Sequence, residues 1–254
     1  MPLIAPESCF AFYPESKVKL PRVTEGPPVP EEALRRQNEK IWGMDNEQQK
    51  QVISAYMASV RFMDEQVGRL IEALERLKLR DRTIVIFLSD HGYNLGEHDC
   101  WSKVSLWEGS VRVPLIISHP DFPENHGHVC KTILELIDVY PTLTELCGLA
   151  GDQPEILQGK SFANHIRQKG TPEEKACAYT ISYGGQAATI RTDQWRYTRW
   201  DNEAVPGNEE LYDHINDPEE EFNCVHDPRF KGILKEMREK YDSIRTAAGK
   251  PIIL

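Results

Sequence analysis

Six consecutive residues, Thr83-Ile84-Val85-Ile86-Phe87-Leu88, are β-branched, aliphatic or aromatic, with no polar alternation after Thr83. A run of that length reads as a strand covered on both faces, as in a parallel sheet flanked by helices; a half-solvated strand would alternate. A helical pattern leads directly into it. Ile53, Tyr56, Val60, Met63, Val67, Leu70, Leu74 and Leu77 recur at spacings of three and four, with Glu65/Arg69 and Glu72/Arg76 four apart on the other faces. This predicts a core-packing amphipathic helix over residues 46–77. A helix delivered straight into a buried strand is half of a β-α-β unit, which points to an α/β architecture. Val113-Pro114-Leu115-Ile116-Ile117 repeats the buried run, and residues 133–149 read as a second apolar helix, kinked or restarted around Tyr140-Pro141.

The flanks have a different texture. Pro2, Pro6, Pro14, Pro21, Pro27, Pro28 and Pro30 each remove a backbone donor, so residues 1–45 cannot be continuous helix or interior strand. Beyond residue 176, Ala178–Ser182 with Tyr183 and Ala187–Arg191 with Thr192 read as two strands about Gly184-Gly185. Trp195-Arg196-Tyr197-Thr198-Arg199-Trp200 adds a third, whose arginines suit cross-strand packing on aromatic rings. Phe230, Ile233, Leu234, Met237, Tyr241 and Ile244 form the apolar side of a closing helix. The expected organisation is an α/β domain over residues 1–175 and a smaller α+β antiparallel-sheet subdomain over 176–254.

Composition narrows the function classes. The 254 residues carry 30 basic and 40 acidic side chains, a net charge of −10, which argues against nucleic acid as partner because phosphate neutralisation needs clustered Lys and Arg. The Glu219-Glu220-Glu221 run points the same way. No apolar run approaches the length of a membrane span, so no membrane partner is expected. Cys9, Cys100, Cys130, Cys147, Cys177 and Cys224 are too sparse for a disulfide scaffold and show no zinc spacing; free thiols or one or two pairs both remain open. Met1–Pro6 lacks the basic stretch and apolar core of a secretory leader.

The chemistry concentrates in residues 88–103. Ligands of α/β sheets bind outside the carboxyl ends of the strands, and Asp90 and His91 follow the buried run immediately. A carboxylate beside an imidazole serves either a metal shell or acid/base work. A carboxylate-rich set favours calcium or magnesium, and a histidine-rich one favours zinc or manganese. Lys103 offers a compact positive charge for an anionic ester or a leaving group. By residue type alone, Asp90 equally well caps a turn and His91 equally well packs in a loop. His119, His126 and His128 around Asp121 read as a loop after a strand, and His165, His214 and His226 as surface or packing residues.

The stretch Ser89-Asp90-His91-Gly92-Tyr93-Asn94-Leu95-Gly96-Glu97-His98, continuing through Trp101-Ser102-Lys103 to Val113-Pro114-Leu115, resembles the sulfatase family, nearest to iduronate-2-sulfatase and choline-sulfatase sequences. Asp138-Val139-Tyr140-Pro141-Thr142, Leu211-Tyr212-Asp213 and Asp217-Pro218-Glu219 resemble its later signatures. The resemblance implies an alkaline-phosphatase-like α/β sandwich with a C-terminal subdomain built on a four-stranded antiparallel sheet. It implies hydrolysis of sulfate esters with a calcium ion and a formylglycine nucleophile made from cysteine or serine. By position, Asp90 and His91 would be metal ligands, and Lys103 would bind the sulfate group as a catalytic residue.

One departure matters. None of the six cysteines stands in the family's C-x-P-S-R motif, and the paired aspartates of its first strand are missing. The expectation is therefore the C-terminal part of a sulfatase, an incomplete sandwich whose partners are a sulfated small molecule or carbohydrate and the missing N-terminal half. The alternatives are a phosphodiester or phosphonate monoester hydrolase of the same superfamily, and a non-catalytic remnant or binding module.

Overall fold

The computed structural model describes residues 3–21, 27, 29–34, 43–168, 177–182, 186–200 and 207–248. After a one-turn helix α1 (Glu7–Phe10), the first long element is α2 (Asn46–Arg76). Its start is fixed by a reciprocal cap: Asp45 Oδ1 accepts the Gln48 N–H at 2.9 Å, and the Gln48 side chain accepts the Asp45 N–H at 3.0 Å. The first half of α2 is tied to the proline-rich approach, since Ser54 Oγ donates to the Tyr13 carbonyl at 2.6 Å and the Arg61 guanidinium lies 3.5 Å over the Phe12 ring. Burial along α2 is less than the periodicity predicts. Ile53, Ser54 and Ala58 are buried, while Val60, Leu70 and Leu77 further along are 43, 66 and 56 % exposed.

Strand β1 (Val85–Leu88) follows a 3₁₀ turn in which Arg80 Nη2 donates to Ser118 Oγ at 2.6 Å. Here the structure corrects the expectation of a strand covered on both faces in a parallel sheet. Strand β4 (Leu115–Ser118) pairs with β1 antiparallel, Val85 opposite Ser118 and Leu88 opposite Leu115. Leu88 and Ile116 are 40 and 62 % exposed. The cause is the connection. A parallel return needs a crossover that carries the chain back along the strand, usually through a helix. Residues 89–114 instead fold over the end of β1 as a loop, the short ladder of β2 (Asn94–Leu95) with β3 (Trp101–Ser102), and the one-turn helix α3 (Glu108–Val111). Among the described residues β1 and β4 pair only with each other, so each keeps an open edge.

The second apolar helix is shorter than expected, and it restarts near Tyr140 rather than kinking. A 3₁₀ turn, Leu136–Asp138, runs into α4 (Val139–Leu146). Pro141 lies in the first turn, where its missing N–H interrupts no intrahelical bond. Buried Asp138 accepts the Glu135 and Lys160 N–H groups at 2.9 and 2.8 Å, which closes this end of the helix. A one-turn helix α5 (Ala163–Arg167) follows.

Strands β5 (Ala178–Ser182), β6 (Ala187–Arg191), β7 (Trp195–Arg199) and β8 (Glu209–Asp213) form one antiparallel sheet in sequential order. The Gly184-Gly185 turn expected between β5 and β6 lies outside the described residues. Helix α6 (Lys231–Ala247) covers one face, burying Leu234, Met237 and Tyr241 against Ile190, Tyr197 and Leu211. Tyr241 meets the rings of Tyr197 and Tyr179 edge-on at 5.5 and 6.3 Å, with the Arg199 guanidinium 4.4 Å above it. The opposite face packs on the residues flanking β3: Cys100, Leu106 and Trp107 are buried together with Ala187, Trp200 and Tyr212. That contact brings the sheet to the candidate site. Among the described residues Cys9, Cys100, Cys130, Cys147 and Cys224 are free thiols, and no helix is long and apolar enough to cross a membrane.

Replacing Tyr241, which has no exposed surface, by Ala removes a ring that two others and the Arg199 guanidinium touch. We expect Tyr241→Ala to lower the unfolding free energy by about 3–5 kcal/mol in urea titrations; a loss under about 1 kcal/mol would contradict this account of the core.

Candidate active site

Asp90 and His91 stand at the carboxyl end of β1, and their surroundings are local. Asp90 Oδ1 accepts the His91 N–H at 3.1 Å, and Ser89 Oγ donates to the His91 carbonyl at 2.7 Å. His91 Nδ1 lies 2.7 Å from the Gly92 carbonyl, which can only accept, so the proton sits on Nδ1 and the Nε2 lone pair is left for a ligand. Nε2 is 3.8 Å from Asp90 Oδ2, and the Asp90 side chain is 87 % exposed.

The next residue explains the sharp turn. The Gly92 N–H donates to the Ser110 carbonyl at 2.8 Å, and a Cβ on Gly92 would stand 2.0 Å from the Gly109 carbonyl oxygen. A Cβ on Gly109 would in turn meet Asn94 Oδ1 at 2.7 Å. Two glycines thus let the Asp-His loop and α3 approach at backbone distance. A buried polar triad fixes the approach: Asn94 Nδ2 donates to Ser105 Oγ at 3.1 Å and Ser110 Oγ at 2.9 Å, and the two hydroxyls are 2.7 Å apart.

Lys103 is presented by an unusual backbone. His98, Asp99, Ser102 and Val104 all adopt positive φ, 54, 55, 77 and 79°. For the β-branched Val104 this is a true outlier, and such conformations cost about 1–3 kcal/mol each unless their surroundings enforce them. The anchors are visible. Cys100 is fully buried and its carbonyl accepts the Gly96 N–H at 2.7 Å, while His98 stacks on Trp107 at 4.3 Å and 12°. Burial pulls the His98 imidazole below its ordinary pKa, so it stacks as a neutral ring. Burial likewise pushes the Cys100 thiol far up, which makes it an inert packing residue despite its place beside the site.

Behind Lys103 lies a cluster of charges that sequence reasoning missed. Arg196 has no exposed surface; it is ion-paired with Glu220 and donates through Nη1 to the Leu106 carbonyl and, at 2.8 Å, to Thr198 Oγ1. Glu220 Oε2 accepts the Glu108 N–H at 2.9 Å, and Oε1 also faces His214 Nε2 at 2.7 Å. Glu210 accepts Trp107 Nε1 at 2.9 Å and Tyr212 Oη at 2.7 Å. Burial alone would raise the Glu220 carboxyl, but Arg196 and these donors outweigh it and hold the group at about 2. In Glu210 burial prevails over Arg196 and the carboxyl is raised. The Glu108, His214 and Glu220 ligand atoms lie within 4.8 Å of one another, the one such group among the described residues. Both Glu220 oxygens are already committed to N–H donors beside a buried guanidinium, so this is an ion-pair cluster and no cation site. One clue in the sequence was available, the alternation of Arg196 and Arg199 with rings: Arg196 lies 5.0 Å over Tyr212, its cross-strand partner.

Asp90, His91 and Lys103, 13 residues apart at the extremes, line one open groove of about 1510 Å³ together with Glu108, Arg112 and Arg191. Arg191 is paired with Glu108 at 3.4 Å. As cation ligands, an exposed carboxylate and an imidazole with a free Nε2 fit the chemistry but supply two donors, where calcium takes about six to eight. His119, His126 and His165 also line this groove but meet a backbone N–H, a carbonyl and a hydroxyl in turn, in keeping with a loop role for the first two and a packing role for His165 in α5.

The Sulfatase family profile matches residues 21–149, and the profile of the N-sulphoglucosamine sulphohydrolase C-terminal region matches residues 96–247. A sulfatase of Formosa agariphila is 30 % identical over 245 residues, 94 % of this chain and 46 % of its own length. The choline-sulfatase of Rhizobium meliloti is 34 % identical over 178 residues, 69 % of this chain and 33 % of its own. A solved structure of a protein in complex with its substrate, D-glucosamine-2-N,6-O-disulfate, superposes with a TM-score of 0.68 at 26 % identity, covering 84 % of this chain and 46 % of that one. The chain therefore spans about half the length, or less, of the curated relatives it matches. Its fold is that of the alkaline-phosphatase-like hydrolases, of which the described elements form a part.

Two predictions follow from this geometry. Gly92→Ala drives a methyl into the Gly109 backbone and should destabilise by several kcal/mol, whereas Gly68→Ala, in α2 with nothing within 4 Å, should stabilise by about 0.5–1 kcal/mol in the same urea titration; equal effects would refute the close approach. The depressed Glu220 carboxyl contributes stability that is complete above its usual value of 4.5 and is lost as pH falls towards 2. Wild type should therefore lose stability over that window more steeply than Glu220→Gln, and parallel pH profiles would refute the pairing.

Proposed function

This chain belongs to the sulfatase family, and from that premise we propose that it carries the cation- and sulfate-holding half of an enzyme that hydrolyses sulfate esters, carbohydrate sulfates foremost. The observation that supports the reading is the common groove: Asp90 and His91 from the end of β1, and Lys103 from beyond the β2–β3 ladder, open onto the same space. In this reading Asp90 and His91 hold a divalent cation, calcium by family, through the carboxylate and Nε2. A cation held there would supply Lewis-acid polarisation of the sulfate group. Lys103 places its ammonium on the sulfate oxygens, where charge is carried as the S–O bond breaks. The Gly92 carbonyl holds the proton on Nδ1, keeping the other ring nitrogen available. The family's formylglycine has no counterpart among Cys9, Cys100, Cys130, Cys147, Cys177 and Cys224, so we assign the nucleophile and the remaining cation ligands to the N-terminal half of the complete enzyme. We also propose the division at residue 175, supported by a sheet and covering helix that lie wholly beyond it.

In the complete enzyme, Asp90→Ala and Lys103→Ala should each lower kcat/KM for 4-nitrophenyl sulfate by about 100-fold or more. Unchanged hydrolysis in either variant would remove that residue from the mechanism. A faster wild-type rate on the matching phosphate or phosphonate ester would transfer the assignment to that chemistry, and no turnover of any of them would leave a remnant.

A further inference from the structure

We propose that Arg196, Glu210 and Glu220 of the C-terminal region are positioning residues for Lys103: they hold residues 106–108, and through them the strained segment that presents the ammonium to the groove. The inference rests on the sulfate-holding role given to Lys103 above. Three consecutive residues are each gripped by a different buried charged side chain. The Leu106 carbonyl accepts from Arg196, Trp107 Nε1 donates to Glu210, and the Glu108 N–H donates to Glu220. These bonds span 90, 103 and 112 positions of sequence. A cluster that served only its own sheet would satisfy these groups within the sheet, as Tyr212 does with Glu210.

The grip falls where it is needed. Lys103 lies between Ser102 and Val104, both at positive φ, and such a backbone relaxes unless its ends are held. One end is held by buried Cys100 and by His98 stacked on Trp107; the other is Leu106, Trp107 and Glu108. Glu220 itself sits at φ 60°, the turn that sends this one carboxylate of an acidic run inward. The same α3 turn touches the Asp-His loop through Ser110, so the cluster also sets Lys103 relative to Asp90 and His91. Burying a charge pair is costly against an apolar alternative, and fixing a geometry is a use that repays it.

The test is site-resolved trypsin cleavage of the natively folded 254-residue protein, read by mass spectrometry. Glu220→Gln weakens the grip on Glu108; Trp107→Phe keeps an aromatic ring at the stack, removes the indole N–H together with part of the bicycle, and serves if Glu220→Gln does not fold. Asp242→Asn is the control, because Asp242 pairs with Arg199 at 2.7 Å away from the loop. Cleavage after Lys103 should accelerate at least tenfold in Trp107→Phe and Glu220→Gln, with cleavage after Lys235 and Arg238 in α6 unchanged, and the control should behave as wild type. An unchanged rate at Lys103, or a rise in step with α6, overturns the proposal. Unchanged sulfate-ester hydrolysis by Lys103→Ala in the complete enzyme would count against the function of Lys103 and leave this readout untouched.

Discussion

A guanidinium with no exposed surface needs a counter-charge and hydrogen-bond acceptors supplied by the fold, because leaving it unpaired costs about 3–5 kcal/mol. Arg196 is such a group, and much of the architecture is the set of conditions that satisfy it. Strand β7 must lie beside β8 so that Tyr212 comes under the guanidinium, the turn after β8 must fold back so that Glu220 reaches Nε, and the segment after Lys103 must cross the sheet so that the Leu106 carbonyl meets Nη1. The C-terminal sheet is thereby locked to the lysine side of the groove.

The carboxylate side is joined to the same point by other means. Gly92 and Gly109 permit backbone contact, and Asn94, Ser105 and Ser110 share a buried hydrogen-bonded triad. The one-turn helix α3 is the meeting place: its start is held by Glu220 and its end by the Asp-His loop. The Asp-His loop, the segment after Lys103 and the turn after β8 converge there beside the apolar cluster of Leu106, Trp107, Trp200 and Tyr212. Geometry at the site is maintained by buried hydrogen bonds and ion pairs, whose loss is costly because the groups left behind are out of reach of water.

Much of this was legible residue by residue. The three-and-four spacing from Ile53 to Leu77 became α2, the apolar runs became β1 and β4, and the aromatic-basic alternation of residues 195–200 became β7 with Arg196 and Arg199 on tyrosine rings. Asp90 and His91 were placed at a strand end because a buried run must stop somewhere, and polar residues that follow it at once face the open end. What was not legible was the role of Glu220. In Glu219-Glu220-Glu221 all three look like solvated charge, yet Glu220 is 2 % exposed while its neighbours are exposed. Nothing local separates them, since the difference is an inward turn towards an arginine 24 positions away.

The sequence determined where the main helices and strands lie, and which side-chain types, a carboxylate, an imidazole and an ammonium, follow β1 along the chain. These are matters of period, capping and side-chain type, all decided within a few residues. Tertiary structure alone decided that β4 returns antiparallel, that α2 is only partly covered, that Cys100 is an inert core thiol, and that residues 106–108 are each bonded by a buried charged side chain of the C-terminal region. Strand direction, burial and the fate of a charge depend on what arrives from about a hundred positions away, and no local pattern records that.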